Sequence, residues 1–340
     1  MSDVTIREYQ DGDEVEILNT FNLVFREVCG PGYVDRQLPR WIWQYQRNPA
    51  GRRIMLAVAP DGRVACQYAG VPLRVHTPEG PVVFDHAVDS MVHPEFRRGL
   101  KKSGIFIPTA NQFFTRWGFA GEDAIVFGYP VDAPWRIGER YFEQKLIRVI
   151  DYLLRPADQG SDQPVPGITV RPVLRFGAAA DALWARARTE LVCAAVRDSL
   201  YLDWRYADCP DVRYECLLAT RDGVPAGLAV LAPEHEVVPG ACTLADWLVP
   251  GDDADVHRAL LAHATQVARA RGRQRLMAVA NEASAWSRRL RAEGFVPEPS
   301  ATFMIRRLGC RTFAGATPPR ISADWLREHW YYTLGDSDLV

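Results

Sequence analysis

The chain has 340 residues, of which 40 are lysine or arginine and 42 are aspartate or glutamate, and at roughly 150 residues per domain its length predicts two domains. The net charge of −2 disfavours nucleic acid as a partner, because proteins that bind phosphate backbones normally carry a basic excess. No apolar run approaches the roughly 18 residues that span a bilayer, and the N-terminus lacks the basic and apolar parts of a signal peptide, so we expect a cytoplasmic protein without a membrane partner.

The first half of the chain alternates strand patterns with helical patterns. A strand over 5–7 precedes a helix over 12–25 with a broad apolar stripe, and a second helical segment follows at Trp41–Tyr45. Asp61-Gly62 predicts the turn of a hairpin, because Asp-Gly favours tight hairpin turns. The remaining elements of this half are strands over 54–59, 64–71, 82–92 and 124–129 and helices over 105–117 and 134–146.

The second half repeats motifs of the first half. Trp43-x-Tyr45-x-x-x-Pro49 recurs as Trp204-x-Tyr206-x-x-x-Pro210, 161 positions later, and the Asp-Gly turn recurs at the same distance. A repeat at constant spacing predicts two copies of one mixed α/β fold, each built around one mixed sheet. The predicted elements of the second copy are strands over 168–170, 243–249, 275–280 and 302–307, a hairpin around 222–223, and helices over 178–196, 255–271 and 284–293.

A polar stretch rich in proline and glycine, residues 157–167, predicts a linker. The chain is thereby divided into a first domain over 1–156, a second domain over 168–310 and a C-terminal tail over 311–340. Its seven cysteines are scattered and contain no C-x-x-C pair, so we expect free thiols and no metal site.

The segment between the strand over 82–92 and the helix over 105–117 is the strongest candidate binding site. Free N–H groups and the dipole at a helix start attract anions, and nearby cations add long-range attraction. The alternative is a solvated basic turn, because the segment matches neither a P-loop nor a dinucleotide-binding pattern. The residues of this predicted pyrophosphate site are Arg97, Arg98, Gly99, Lys101, Lys102, Ser103 and Gly104.

Strand, V-x-P-x-[FY]-R motif (Val92 to Arg97), glycine-containing loop and helix resemble the Gcn5-related N-acetyltransferases (GNAT), and two such copies resemble a tandem-GNAT protein. In that family the backbone amides of the loop bind the pyrophosphate of coenzyme A. The resemblance therefore implies two tandem GNAT-like folds, with acetyl-CoA or another acyl-CoA as cosubstrate and no metal. It also implies that Met91 and Val92 join the loop in binding the cosubstrate.

The same resemblance implies candidate catalytic residues. Acyl transfer to an amine needs a base, donors for the oxyanion and often an acid for the leaving thiolate. His86, six residues before Val92, and Asp89 are the candidates for the base, and Tyr141 on the last helix of the copy is the candidate acid. The alternative is that these polar residues serve packing at an interface. Asp85 recurs as Asp246, which predicts a hydrogen bond belonging to the fold.

The second copy is expected to lack a cofactor site. Its corresponding loop carries Asp252, Asp253 and Asp255 without a basic residue, and such a loop repels pyrophosphate. Asp252 and Asp253 are predicted to cap the following helix. In the tail, three aromatic residues before Asp336 and Asp338 predict docking on a domain, or alternatively a carboxylate that reaches the cleft and binds a cationic amine.

These features predict an N-acyltransferase in which a primary amine of a small molecule attacks the thioester directly. One alternative is a FemABX-like aminoacyl transferase, although near-neutral charge disfavours aminoacyl-tRNA as its donor. Another is a catalytically silent sensor of acyl-CoA or a metabolite. The sequence does not identify the acceptor or the acyl chain, and it leaves open whether the protein is a homo-oligomer.

Overall fold

The computed structural model describes residues 4–97, 104–235 and 237–340. The first half of the described chain contains β1 (Thr5–Glu8), α1 (Glu14–Cys29), α2 (Leu38–Trp41), β2 (Arg53–Val58), β3 (Val64–Thr77), β4 (Gly80–Val92), α3 (Phe106–Phe113), β5 (Ile125–Gly128), α4 (Asp132–Tyr141) and β6 (Lys145–Val149). The second half contains β7 (Asp151–Pro156), β8 (Ile168–Val173), α5 (Ala178–Ala187), β9 (Cys193–Ala195), α6 (Ser199–Leu202), β10 (Glu215–Arg221), β11 (Val224–Ala232), β12 (Ala241–Leu248), α7 (Ala254–Ala270), β13 (Arg275–Ala278), α8 (Ala285–Ala292), β14 (Val296–Pro299), β15 (Arg307–Thr312), α9 (Ala323–His329) and β16 (Trp330–Tyr331).

The strands form two mixed sheets with the same topology. The first has the order β1-β2-β3-β4-β5-β15-β6 and the second β8-β10-β11-β12-β13-β7-β14. Along these two orders, the parallel pairs are β4 with β5 and β12 with β13, and the other neighbours are antiparallel. The first sheet also contains β9 and β16, which lie off this order and pair with each other in parallel. The predicted fold class, two copies of one mixed α/β fold, is therefore confirmed.

The two sheets exchange one strand. β15 follows the second copy in sequence but lies in the first sheet between β5 and β6, where Cys310 is paired with Phe127. β7 follows the first copy but lies in the second sheet between β13 and β14, where Leu154 is paired with Met277. The sheets therefore do not follow the predicted division at 157–167, because 151–156 and 307–312 each cross to the other sheet.

The parallel pairing of β4 with β5 ends at His86 and Phe127, after which the two strands separate. Further along β4, the register with β3 shifts so that Asp89 and Ser90 lie opposite the single residue Tyr68. Asp89 has a φ of +54°, and this left-handed conformation with one extra residue defines a β-bulge. The separation and the bulge lie within four residues of each other on the same strand.

Apolar side chains cover both faces of the first sheet. Helices α1 and α2 pack on one face through residues such as Phe21 and Trp41, and α3 packs on the other through Phe113. A third cluster, which includes Phe84 and Trp330, fills the space between the two halves of the chain. The two halves therefore share one continuous core. Each fully buried side chain of this size contributes roughly 1.5–3 kcal/mol to stability.

The tail connects the two halves. Trp330 in β16 pairs with Cys193 in β9, and Ala194 of β9 pairs with His76 in β3 of the first sheet. The helix predicted over 178–196 is therefore wrong at its C-terminal end. It ends at Ala187, because residues 193–195 form a strand between β3 and the tail.

Candidate functional site

A cavity of about 710 Å³ lies where β4 and β5 separate. It passes between the two strands and is lined from the α1 side by Val24 and Phe25 and from the α3 side by Phe106 and Phe114. Phe142, just after α4, also lines it. Because the walls are mainly apolar and aromatic, the cavity suits an uncharged part of a ligand.

The β-bulge at Asp89 forms part of the cavity wall. A bulge leaves one residue of the strand outside the ladder, so its backbone groups become available to a ligand. Here the side-chain amide of Gln67 donates to the Asp89 carbonyl at 3.0 Å, which fixes the direction of that peptide group. Ser90, the next residue, is exposed and lines the cavity.

The Asp89 side chain is held by three donors on the α1 side of the sheet. Its Oδ2 accepts hydrogen bonds from the Arg36 guanidinium, from Gln44 Nε2 at 2.9 Å and from the Tyr45 hydroxyl at 2.7 Å. Although burial raises the pKa of the Asp89 carboxyl, the charge and hydrogen bonds of its partners outweigh burial and lower the pKa below its usual range. A carboxylate bound in this way is a weak proton acceptor, so the geometry favours a structural role for Asp89 over the role of base.

His86 lies at the point where the strands separate. Its ring stacks on Phe127 with a centroid distance of 4.9 Å and meets Tyr129 edge-on at 5.9 Å. The side chain is only 5% exposed, and burial lowers the pKa of His86 below its ordinary value of 6.5. A neutral imidazole on a cavity wall can accept a proton at neutral pH.

The tail brings a carboxylate to His86. Oδ1 of Asp338 lies 3.6 Å from His86 Nε2, and the Asp338 side chain is 53% exposed. Both residues line the cavity of about 710 Å³ and also a neighbouring cavity of about 40 Å³. Of the two predicted tail carboxylates, Asp338 therefore reaches the cleft, whereas Asp336 is buried against Arg197 at 2.8 Å.

Two buried arginines of the second half hold the tail in this position. Arg205 donates from Nε to the Gly335 carbonyl at 3.1 Å and from Nη2 to the carbonyls of Ser337 and Val340 at 3.1 and 2.7 Å. Arg197 donates to both Asp246 and Asp336. The second copy thus places a residue of the tail in the cavity of the first.

Tyr141 is not brought to the cavity. Its side chain is 51% exposed, with its ring beside Arg140, and its neighbour Phe142 takes the place on the cavity wall. A buried tyrosine that the sequence reasoning missed, Tyr129, does line the cavity, and its hydroxyl has no hydrogen-bond partner among the described residues. Its position just after β5 was the available signal.

The predicted pyrophosphate loop is described only at its ends. Met91, Val92, Arg97 and Gly104 line the cavity, so these four predicted residues lie together. Arg97 also donates to the Val92 carbonyl and to Glu27, both near the surface. The other residues of the prediction lie outside the described ranges: Arg98, Gly99, Lys101, Lys102 and Ser103.

Asp85 and Asp246, which occupy equivalent positions in the two copies, were predicted to make equivalent hydrogen bonds within each copy. Within the described ranges, the structure shows such bonds only at Asp246. Asp246 accepts from Arg197 at 2.8 Å and from the Tyr206 hydroxyl at 2.8 Å. Both carboxyl oxygens of Asp85 are buried without a partner among the described residues. Burial, strengthened by nearby Asp123, raises the pKa of Asp85 well above its usual range. Asp85 packs over Gly70, and it does not line the cavity.

In the second copy, aromatic side chains fill the corresponding region. Trp247, which stands 161 positions after His86, stacks on Trp286 at 4.5 Å and donates from its indole nitrogen to His257 at 3.0 Å. Asp253 caps α7 as predicted, whereas Asp252 contacts His257 and Arg289 instead. These contacts occupy the side chains of Trp247, His257 and Asp252 within the second copy itself.

No group of three or more His, Cys, Asp or Glu side chains in the described ranges could hold a metal ion. No helix within these ranges is long and apolar enough to cross a membrane.

Comparisons with known proteins agree with the resemblance found in the sequence. Residues 5–136 match the family model described as an acetyltransferase (GNAT) domain. No curated protein matches the chain by sequence.

Solved structures show the same fold over almost the whole chain. A probable N-acyltransferase from Enterococcus faecalis has a TM-score of 0.64 at 11% identity, over 91% of this chain and 72% of its own. A GCN5-related N-acetyltransferase from Anabaena variabilis has a TM-score of 0.63 at 13% identity, over 91% and 73%. The N-myristoyltransferase of Saccharomyces cerevisiae with bound myristoyl-CoA has a TM-score of 0.60 at 10% identity, over 96% and 84%.

Proposed function

We propose that this chain, which has two GNAT-like folds and matches the acetyltransferase (GNAT) domain model over residues 5–136, is an acyl-CoA-dependent N-acyltransferase. Its acceptor is a primary amine of a small molecule, and its donor is acetyl-CoA or another acyl-CoA. The observation that carries the proposal is a single cavity where β4 and β5 separate. Its lining includes the β-bulge at Asp89 and the pair formed by His86 and Asp338.

The donor would lie along this cavity. Arg97 and Gly104, which flank the predicted pyrophosphate loop in sequence, line the cavity, and the aromatic walls suit the uncharged arm that ends in the thioester. Backbone N–H groups at the Asp89 bulge would stabilise the oxyanion, since they already have a fixed direction before the substrate binds.

His86 would act as the base. The imidazole would first take one proton from the ammonium, and the resulting amine nitrogen bonds to the thioester carbon. The carbon–sulfur bond then breaks, and the second proton lost from the nitrogen passes to the leaving thiolate, which departs as the thiol of CoA. The half-exposed Asp338 would attract the cationic amine and stabilise the imidazolium that forms. Tyr129, whose hydroxyl has no hydrogen-bond partner among the described residues, is a further candidate proton donor on the cavity wall.

Calorimetric titration of CoA and acetyl-CoA tests the proposal. Binding at sub-millimolar concentration is expected, followed by thiol release when a panel of primary amines is added. Lys101→Glu combined with Lys102→Glu should weaken binding, whereas charge reversal at Asp252 and Asp253 is the matched control and should not. Absence of binding refutes the proposal, and binding without transfer to any amine favours the silent sensor.

A further inference from the structure

The exchanged strand β15 contributes an arginine to the cavity of the first half. Arg311 pairs with Val126 of β5, so the two side chains share one face of the first sheet. Both residues line the cavity, together with Tyr68, Phe114 and Phe142. A residue of the second half therefore forms part of the wall that faces α3 and α4.

Two of the three guanidinium nitrogens of Arg311 are buried without an acceptor among the described residues. Its Nε and Nη1 atoms are inaccessible to solvent and have no hydrogen-bond partner among the described residues. Its Cζ atom lies 4.3 Å from the centre of the Phe114 ring. Burial lowers the pKa of Arg311, and nearby Glu143 opposes this effect without forming an ion pair in the described structure. Buried N–H groups without acceptors are costly, and a bound ligand can remove this cost.

The surroundings of Arg311 indicate which part of a ligand it meets. The walls beside it are aromatic, and they include the ring pairs Tyr68–Phe114 at 5.2 Å and Phe114–Phe142 at 5.2 Å. Such walls suit an uncharged chain, whereas phosphate groups suit the predicted pyrophosphate loop near Arg97. Gln144, another lining residue, adds a side-chain amide to this part of the cavity. The pantetheine arm of CoA is a thin chain with two amide groups, and its carbonyl oxygens are the acceptors that Arg311 lacks.

We propose that Arg311 donates hydrogen bonds to an amide carbonyl of the pantetheine arm of the acyl donor. This inference rests on the proposed function and assigns a donor-binding residue to the second half of the chain. Arg311 is a binding residue and not a catalytic one, because its strand lies on the far side of β5 from the bulge on β4. Its loss should raise KM for the donor and change kcat little at saturation.

The test compares Arg311→Met with Arg307→Met, an arginine on the same strand that pairs with Asp132 and does not line the cavity. Calorimetry measures the Kd of CoA, of acetyl-CoA and of 3′-phosphoadenosine 5′-diphosphate, which lacks the pantetheine arm. R311M should weaken CoA and acetyl-CoA about tenfold and leave the nucleotide unchanged, because a hydrogen bond from a charged group is lost. R307M should change none of the three.

Three outcomes overturn the inference: unchanged CoA affinity in R311M, an equal loss for CoA and the nucleotide, and a loss confined to acetyl-CoA, which would point to the acyl carbonyl. If R311M fails to fold by thermal melting, Arg311→Lys replaces it. A single ammonium does not reproduce the planar fork of arginine, so about threefold weaker CoA binding is expected, with the nucleotide again unchanged. If the wild-type protein binds no CoA, the proposed function itself fails. If the wild-type protein binds CoA and one of the three outcomes above is found, only the role of Arg311 fails.

Discussion

Trp43 and Trp204 exchange hydrogen bonds across the junction of the two halves. The indole nitrogen of Trp43 donates to the Trp204 carbonyl at 2.6 Å, and that of Trp204 donates to the Trp43 carbonyl at 2.8 Å. Their rings stack with a centroid distance of 5.2 Å and an interplanar angle of 17°. Because the two tryptophans occupy the same place in the repeated motif, the contact is nearly symmetric, as expected for a self-complementary interface.

Trp43→Phe or Trp204→Phe should each destabilise the protein by about 1–3 kcal/mol, because one buried carbonyl loses its donor. Denaturant unfolding measures this change. The double variant should lose less than the sum of the single losses, since the two tryptophans are in direct contact. The control is Trp325→Phe in the half-buried tail helix, which should cost much less. Equal costs for all three single variants would contradict the prediction.

Asp85→Asn should stabilise the protein at alkaline pH and not near pH 4. The pKa of Asp85 is raised in the folded state by burial and by nearby Asp123, so the folded protein keeps a proton that the unfolded chain releases above its ordinary value of 3.8. Stability therefore falls as the pH rises from about 4 towards the raised pKa, by up to about 1.4 kcal/mol per pH unit. The neutral amide avoids this loss. Thermal melting from pH 4 to 8 measures the difference.

The matched control for Asp85 is Asp246→Asn, which weakens the buried contact with Arg197. Removing one partner of a buried ion pair is destabilising by about 3–5 kcal/mol, so this variant should be less stable at neutral pH. The prediction would be contradicted if Asp246→Asn gained stability at pH 8, or if Asp85→Asn did not.

The pH profile of kcat/KM should have an acidic limb with a midpoint below 6.5, because burial lowers the pKa of His86 and the base must be neutral. The charge of Asp338 raises the pKa of His86 and partly offsets burial. Asp338→Asn should therefore move the limb to still lower pH. Asp324→Asn, an exposed tail acid paired with Arg327, should leave it in place. A limb that does not move in Asp338→Asn excludes this coupling.

Tyr45→Phe should lower kcat about threefold to tenfold while the KM for the donor stays unchanged, because one of the three donors that hold Asp89 at the bulge is lost. Tyr33→Phe is the control. Its hydroxyl donates to Asn22 at 2.9 Å and does not contact Asp89. Steady-state kinetics with varied donor separates the two constants. An effect on KM alone would mean that Asp89 does not orient the bulge for the reacting atoms.

The repeat and most element positions could be predicted from the sequence, because apolar periodicity and Asp-Gly turns are local signals. The partner of a strand is not a local property, so the pattern around 302–312 did not reveal that β15 joins the first sheet. His86, the candidate base from its strand position and the family resemblance, lines the cavity, and its role as base stays a prediction. The surroundings of Asp89 and Tyr141 could not be predicted in this way. A bulge changes the direction of the Asp89 side chain, and a shift of one position on a helix leaves the Tyr141 side chain exposed.

The exchange of β7 and β15 affects how the protein is made. During translation, the first sheet cannot be completed until residue 312 leaves the ribosome, because β15 is an interior strand of that sheet. Until then, β5 and β6 have no shared neighbour, and their unpaired edges are exposed to other nascent chains. Two genes that arose by cutting this one at the linker would each encode an incomplete sheet. Their products would need each other, and they should restore the structure only as a pair.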